Sequence, residues 1–453
     1  MKFSRQLRYI PVLVLTISTA LAASGSLFAQ DTGSAVFTEP DASVVTPAQA
    51  QALRQPAIAS PVGEPNAALD NSDVTMTAKP VSDIPRKLQY EISGTVRGVW
   101  DDNIFNSSFH KVSDFYFTIE PSLHVGLGGG DSDSVNTLTF TYQPSVFLFV
   151  DNDQNDAVQH LIQLAVGHRF GHLALSLSQD VRLLDGTDLN SLSDPTGHQA
   201  NTDVSGRNRH QIYTTQLSGS YDLTGKLFLS GGGNFYADEY SGSLISSQNY
   251  GGNVYLNYIY SDKLVVGFGG TGGYNTVNGS GANNQVFEQA NVRLNYSATA
   301  KISVSATAGA EFRQFSGVSG SEINPVYTLS ASYTPFDGTA ISLTGSSQTY
   351  NSASFTGQDY SETTINLSVT QRFMQRFFLG FAVGYTNSSY FSAAQGVTAT
   401  RNDDFYYIDP SIDFNVTRYW TFGAYYVHRE DTSSFAFFSF KDNQVGIRTR
   451  LTF

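Results

Sequence analysis

Cysteine is absent from this 453-residue chain, and methionine and tryptophan are scarce, with 3 and 2 residues. Without a thiol there is no disulfide scaffold, no thiolate metal ligand and no cysteine nucleophile. Charge is scarce too: 14% of residues are charged, against about 25% in an ordinary soluble domain. The charge that remains is acidic, with a formal net of -13. That excludes nucleic acid as a partner, because neutralising phosphates needs a basic surface. Beyond Ala29 no stretch approaches the ~18 uncharged apolar residues of a spanning helix. In their place stand 40 glycines, 25 tyrosines and 32 phenylalanines among many Ser, Thr and Asn, a composition suited to strands and turns.

The opening segment reads as an address. Lys2, Arg5 and Arg8 precede an apolar run from Tyr9 to Ala23, and Ser26-Leu27-Phe28-Ala29 closes it before Gln30. This is the layout of a secretory signal peptide over 1–29. From 30 to 87 the composition turns to Ala, Pro, Gln, Val, Asp and Ser, with Pro40, Pro47, Pro56, Pro61, Pro65, Pro80 and Pro85 breaking any regular element. It reads as a disordered periplasmic leader.

From 88 to 453 the text keeps a period of two. Tyr90, Ile92, Gly94, Val96, Gly98 and Trp100 alternate with Gln89, Glu91, Ser93, Thr95, Arg97 and Asp101. Val445, Ile447, Thr449, Leu451 and Phe453 do the same against Gln444, Gly446, Arg448, Arg450 and Thr452. Side chains of a strand point alternately to its two faces, so one face is apolar and the other wet. About eighteen such segments of ~13 residues fit the region, an even number with a length suited to tilted spanning strands. Their connections alternate in length. Phe170-Gly171, Ala300-Lys301 and Met374-Gln375-Arg376 are tight, whereas 183–207, 351–360 and 389–402 are long and polar. Short turns on one rim and long loops on the other belong to outer-membrane barrels. A propeller with a similar repeat would need four short strands per unit, and a soluble β-sandwich would also alternate its faces. The expected fold is therefore all-β, a transmembrane antiparallel up-and-down β-barrel of about eighteen strands, wide enough for an aqueous lumen.

Parity assigns the lumen. Arg97, Arg293, Arg313, Arg429, Arg448 and Arg450 face inward with Glu91 and Glu311. Closing the first strand on the last brings Arg97 near Arg448 and Arg450. Two readings follow: a basic seam that guides anions through forked guanidinium contacts, or a neutral wall in which each arginine meets an acid, Glu91 meeting Arg450. The longest loop, 183–207, carries Asp185, Asp188, Asp194 and Asp203. It reads as exposed and solvated. The alternative is an inward fold that narrows the pore or holds Ca²⁺, although the acids lack the fixed spacing of a calcium loop. Gly128-Gly129-Gly130-Asp131 lacks the Walker lysine and a following helix, and reads as a turn. His160, His168 and His172 do not have the spacing of a metal site, and no catalytic group, cofactor or metal is expected.

Two stretches carry a family resemblance. Trp100-Asp101-Asp102-Asn103-Ile104-Phe105, with Ser113-Asp114-Phe115 and Glu120-Pro121-Ser122-Leu123, is similar to the opening of a family of outer-membrane β-barrel porins of Gram-negative bacteria. Terminal Phe453 resembles the signal that barrel-assembly machinery reads. The resemblance implies location in the outer-membrane lipid and passage of polar solutes, with exopolysaccharide export in some members. It assigns no site residue. The expected function is a passive or mildly selective channel; the alternative is a structural or adhesive barrel with a closed lumen. Porins are often trimers, so a homotrimer is an open expectation that no residue here locates.

Overall fold

The computed structural model describes residues 88–127, 136–186, 202–279, 283–316 and 321–453. The signal peptide, the leader, the Gly128–Gly130 turn, Asp188 and Asp194 lie outside the described residues.

Period-two alternation becomes strand throughout. The strands are β1 Leu88–Asp101, β2 Asp114–Leu127, β3 Asn136–Phe149, β4 Ala157–Phe170, β5 Leu173–Gly186, β6 Asn208–Asp222, β7 Leu227–Tyr240, β8 Ser246–Ser261 and β9 Leu264–Asn278. They continue as β10 Gln285–Thr299, β11 Ile302–Phe315, β12 Ser321–Tyr333, β13 Thr339–Asn351, β14 Gln358–Phe373, β15 Phe377–Ser392, β16 Asn402–Asn415, β17 Trp420–Ser433 and β18 Phe440–Thr452. Each pairs antiparallel with its neighbours in the chain, and β1 pairs with β18, so the 18-stranded sheet closes on itself. The closing register sets Arg97 opposite Arg448 and Trp100 opposite Val445. Phe453 completes the closure by exchanging backbone hydrogen bonds with Ile92, 2.8 and 3.2 Å long.

Burial is inverted relative to a soluble protein. Phe268 is 67% exposed and Val254 54%, while Ser145, Asn257, Glu311, Arg313 and Asp442 are buried. A β-sandwich hides its apolar face and wets its polar one. Here the apolar residues form the outer surface, which is stable only if hydrocarbon is the solvent there. Trp100, Tyr260, Tyr333, Trp420 and Phe453 stand exposed near strand ends, where aromatic girdles meet the two membrane interfaces. No described helix is long and apolar enough to cross a membrane; strands make the crossing. The protein is an outer-membrane β-barrel, with the rim of short turns in the periplasm and the long connections outside.

Several strands run further than the polarity pattern suggests. β5 continues through Asp185 and Gly186, paired with Arg209 and Asn208, and β12 starts at Ser321. These ends stand at the extracellular rim, where ladder hydrogen bonds persist although the side chains are polar.

In detergent, the unheated protein should migrate differently from the boiled protein on a gel. Recovery of the chain as a detergent-free monomer whose mobility ignores heating would remove the barrel.

Candidate functional site: the lumen and its extracellular mouth

The inner wall is polar and its charges are matched. Arg97 of β1 donates to Glu120 of β2 at 3.0 Å, and Thr118 donates to the same carboxylate at 2.8 Å. Arg448 forks onto Asp413 of β16, with Nε 2.8 Å from Oδ1. Arg450 lies 3.6 Å from Glu91, and Arg429 lies 3.5 Å from Asp442. The basic seam is therefore corrected to the neutral wall. Arg97 and Arg448 are register partners, yet each turns to an acid, because a guanidinium withdrawn from water needs an opposite charge beside it. Arg313, 1% exposed, is held by Glu311 at 2.8 Å with Asp359 at 3.8 Å.

Arg293 differs. It donates to Asn257 at 2.8 Å and to Ser230, and lies 4.2 Å over the Tyr255 ring. Its partners among the described residues are neutral. The side chain can lie flat because the strand between its neighbours is glycine-rich. A Cβ on Gly267 would sit 2.4 Å from Asn257 Oδ1 and 2.9 Å from Arg293 Cγ, and one on Gly269 would meet Tyr255 at 2.6 Å.

The extracellular mouth is narrowed by elements that meet across the ring. Beyond Ser347, β13 leaves β12 and stays paired with β14 alone, so the end of this hairpin leans into the lumen. One of its faces lies against the inner wall: Asn275 of β9 donates to Asn351 at 3.2 Å, Gln285 of β10 donates to Asp359 at 3.0 Å, and Arg313 of β11 donates to the Thr349 carbonyl at 3.4 Å. On the other face Tyr350, Tyr360 and Tyr390 stack in turn, with centroids 5.6 and 4.9 Å apart.

Onto this hairpin comes the β5–β6 connection, from half-way round the ring. Buried Asp203 accepts from Ser352 Oγ at 2.7 Å, the Ala353 N–H at 2.5 Å and the Tyr390 hydroxyl at 2.9 Å. Arg401 stands 3.6 Å from its carboxylate and donates to the Thr202 carbonyl at 2.5 Å. Burial pushes the Asp203 carboxyl up, against the opposing pull of Arg401 and these donors. From the β7–β8 connection the Ile245 N–H reaches the Ala353 carbonyl at 2.8 Å. Phe355 packs on Phe435 and Phe438, whose ring lies 3.6 Å under Arg401. Toward the periplasmic rim the inner wall is wetter: Ser303 and Ser176 are exposed and bond Ser332 and Ser218 across the strands.

The reading of the β5–β6 loop as exposed and solvated is thus overturned at Asp203. Asp185 keeps the exposed reading, and the inward alternative fails for it. It pairs with Arg209 on the outer face of the rim, both partly exposed, because its parity turns it away from the lumen. Asp203 could be suspected from sequence only as one acid in a long loop; nothing local identifies Ser352, Tyr390 and Arg401 as its partners. Asp101, Asp102 and Asp442 also gather, with carboxylate oxygens within 4.8 Å. The oxygens suit a hard cation, but Asn103, Asn443, Gln444 and Arg429 already donate to them. The histidines bind separate neighbours, His160 meeting Tyr142 and His168 meeting Asn136.

No family model and no curated protein matches the chain. Among solved structures it is similar to the outer membrane protein OpdK of Pseudomonas aeruginosa, at 10% identity and a TM-score of 0.38 over 81% of this chain and 98% of that one. For OccK2 (OpdF) of the same organism the values are 11%, 0.40, 80% and 98%. For the FrpB iron transporter of Neisseria meningitidis they are 7%, 0.41, 76% and 62%. These are distant likenesses, and the wall described above, not theirs, carries the functional reading.

Replacing Asp203 by Ala leaves Arg401 paired with Asp403 but deprives three buried donors of their acceptor, a loss on the order of 3 kcal/mol, or about a hundredfold in the docked-to-undocked ratio. Single-channel conductance in planar bilayers should rise in Asp203→Ala and in Arg401→Ala. Unchanged conductance in both would mean that the crossing does not narrow the path.

Proposed function

We propose that the chain is an outer-membrane channel for small polar solutes, narrowed at its extracellular mouth by the β13–β14 hairpin and the Asp203 crossing. The observation that carries this reading is the inner wall: hydroxyl, amide and matched charge face the bore of a sheet that closes on itself. Because Arg97, Arg429, Arg448 and Arg450 each stand beside an acid, the wall favours neither anions nor cations strongly, and solute size becomes the main filter. Nothing in this arrangement calls for catalysis.

Export of a polysaccharide is the finer reading that the sequence resemblance raised, and the bridged mouth weighs against a thick polymer. The same bridge favours a second reading, a structural barrel closed at its outer end, since contacts reach the 352–355 tip from several sides of the ring.

Swelling of vesicles containing the purified protein separates these possibilities. Pentoses and hexoses should enter faster than trisaccharides, with longer oligosaccharides excluded. No swelling in any sugar would leave the closed barrel, and entry independent of size would remove the narrowed mouth. In planar bilayers under a salt gradient, Arg448→Ser should shift the reversal potential toward cations by exposing Asp413. No shift would mean that this pair does not face the permeating ions.

A further inference from the structure

One seam of the wall loses its ladder well before its two strands end. β12 and β13 pair only from Tyr327↔Ser347 to Tyr333↔Ile341. β12 nevertheless continues to Ser321, paired with β11, and β13 continues to Asn351, paired with β14. The interruption at Asp409–Pro410 between β16 and β17, by contrast, has paired residues on both sides. β4 and β5 also run on past their last pair, His160↔Leu183, by three residues each. Among the described seams the unbonded run is longest at β12–β13, six residues of β12 and four of β13, in the extracellular half.

The sequence at this edge is adapted to the lost partner. The Thr334 N–H bonds Lys301 on the β11 side, so alternation directs the odd-numbered N–H groups of β12 toward β13. Position 325 is proline, which has no N–H to leave unpaired. In hydrocarbon an orphan donor costs several kcal/mol, and the proline removes the donor nearest the last bonded pair, leaving the N–H of Ile323 closer to the rim.

The two lips of the seam differ in chemistry. On the β12 side Ile323, 61% exposed, Pro325 and Tyr327 present an apolar outer surface. On the β13 side the apolar positions Ile341, Leu343 and Gly345 give way to Ser347, the last residue laddered to β12, and Thr349, both buried. A side-chain contact joins the lips, Asn324 donating to Thr349 Oγ1 at 3.4 Å, while Arg313 of β11 reaches past β12 to the Thr349 carbonyl at 3.4 Å. Such contacts open far more readily than a ladder of backbone bonds.

We propose that this seam is a lateral portal through which an amphiphile with an uncharged, hydroxyl-bearing head passes between the outer leaflet and the lumen. The tail lies along Ile323, Pro325 and Tyr327, and the head exchanges hydrogen bonds with Asn324, Ser347 and Thr349. The head is uncharged because the nearest cation, Arg313, is already held by Glu311 and Asp359, while exposed Glu322 on the same inner face repels an anion. The route is additional to the axial channel and does not depend on it.

The chain has no cysteine, so Asn324→Cys with Thr349→Cys introduces its only thiols, and a short bis-thiol reagent can bridge the seam. The full-length protein in vesicles is exposed to an alkyl glucoside carrying a photoactivatable diazirine on its head, dissolved in the bilayer, and labelled peptides are read by mass spectrometry. The wild-type and unbridged proteins should be labelled at 346–349, and bridging should lower that labelling by at least about tenfold while outer-face labelling at Tyr385 stays constant. Equal labelling with and without the bridge overturns the portal. If the double variant does not fold, the wild type alone decides: labelling at 346–349 but not at lumenal Thr307, paired with Arg293 well inside the β10–β11 ladder, supports the portal. Equal labelling at Thr307 means entry through the axial pore and overturns it. Vesicle swelling by the bridged protein reads the axial channel separately.

Discussion

A backbone N–H or C=O facing hydrocarbon finds no water to bond, and everything in this barrel depends on that. A sheet in lipid must close, and this one does so by pairing its first strand with its last and tying Phe453 to Ile92. Once closure is imposed, the alternation of a strand becomes a partition of space, with lipid on one side of every peptide and water on the other. The β12–β13 seam, where the ladder stops furthest from the strand ends, shows the same rule from the opposite direction. There the exposed edge carries a proline at the first position past the last bonded pair whose donor would face the gap, and the departing strand tucks behind its neighbour.

Inside the ring the governing constraint is the cost of charge removed from bulk water. Arginines are numerous on the inner face, and most of those described are held by carboxylates on adjacent strands. Such pairs leave a wall that is polar but nearly neutral. Arg293 is accommodated differently, flat across Gly267 with amide, hydroxyl and aromatic partners. Near the mouth the packing tightens, and tyrosines stacked on the β13–β14 hairpin replace solvent.

Much of this was legible in the chain itself. Alternation over 88–453, the unequal connections and the scarcity of charge were enough to expect about eighteen strands and an aqueous bore. Parity placed Arg97, Arg448 and Glu91 inward, and closure brought Arg450 to Glu91. The reading failed where contacts cross the ring. Asp203 looked like any acid in a solvated loop, and it is buried against Ser352, Tyr390 and Arg401. Asp185 looked like its companion and stands outside, paired with Arg209. The inward lean of β13–β14 left no periodic trace, because its residues still alternate.

Sequence by itself determined which face of each strand meets lipid, since a side chain's direction along a strand follows from the backbone and its preference for oil or water from its own chemistry. Only the tertiary structure decided which charges neutralise one another, how the mouth is bridged and where the wall is left unladdered. Those outcomes depend on register and on distances between strands far apart in the chain, and no local pattern of residues encodes such distances.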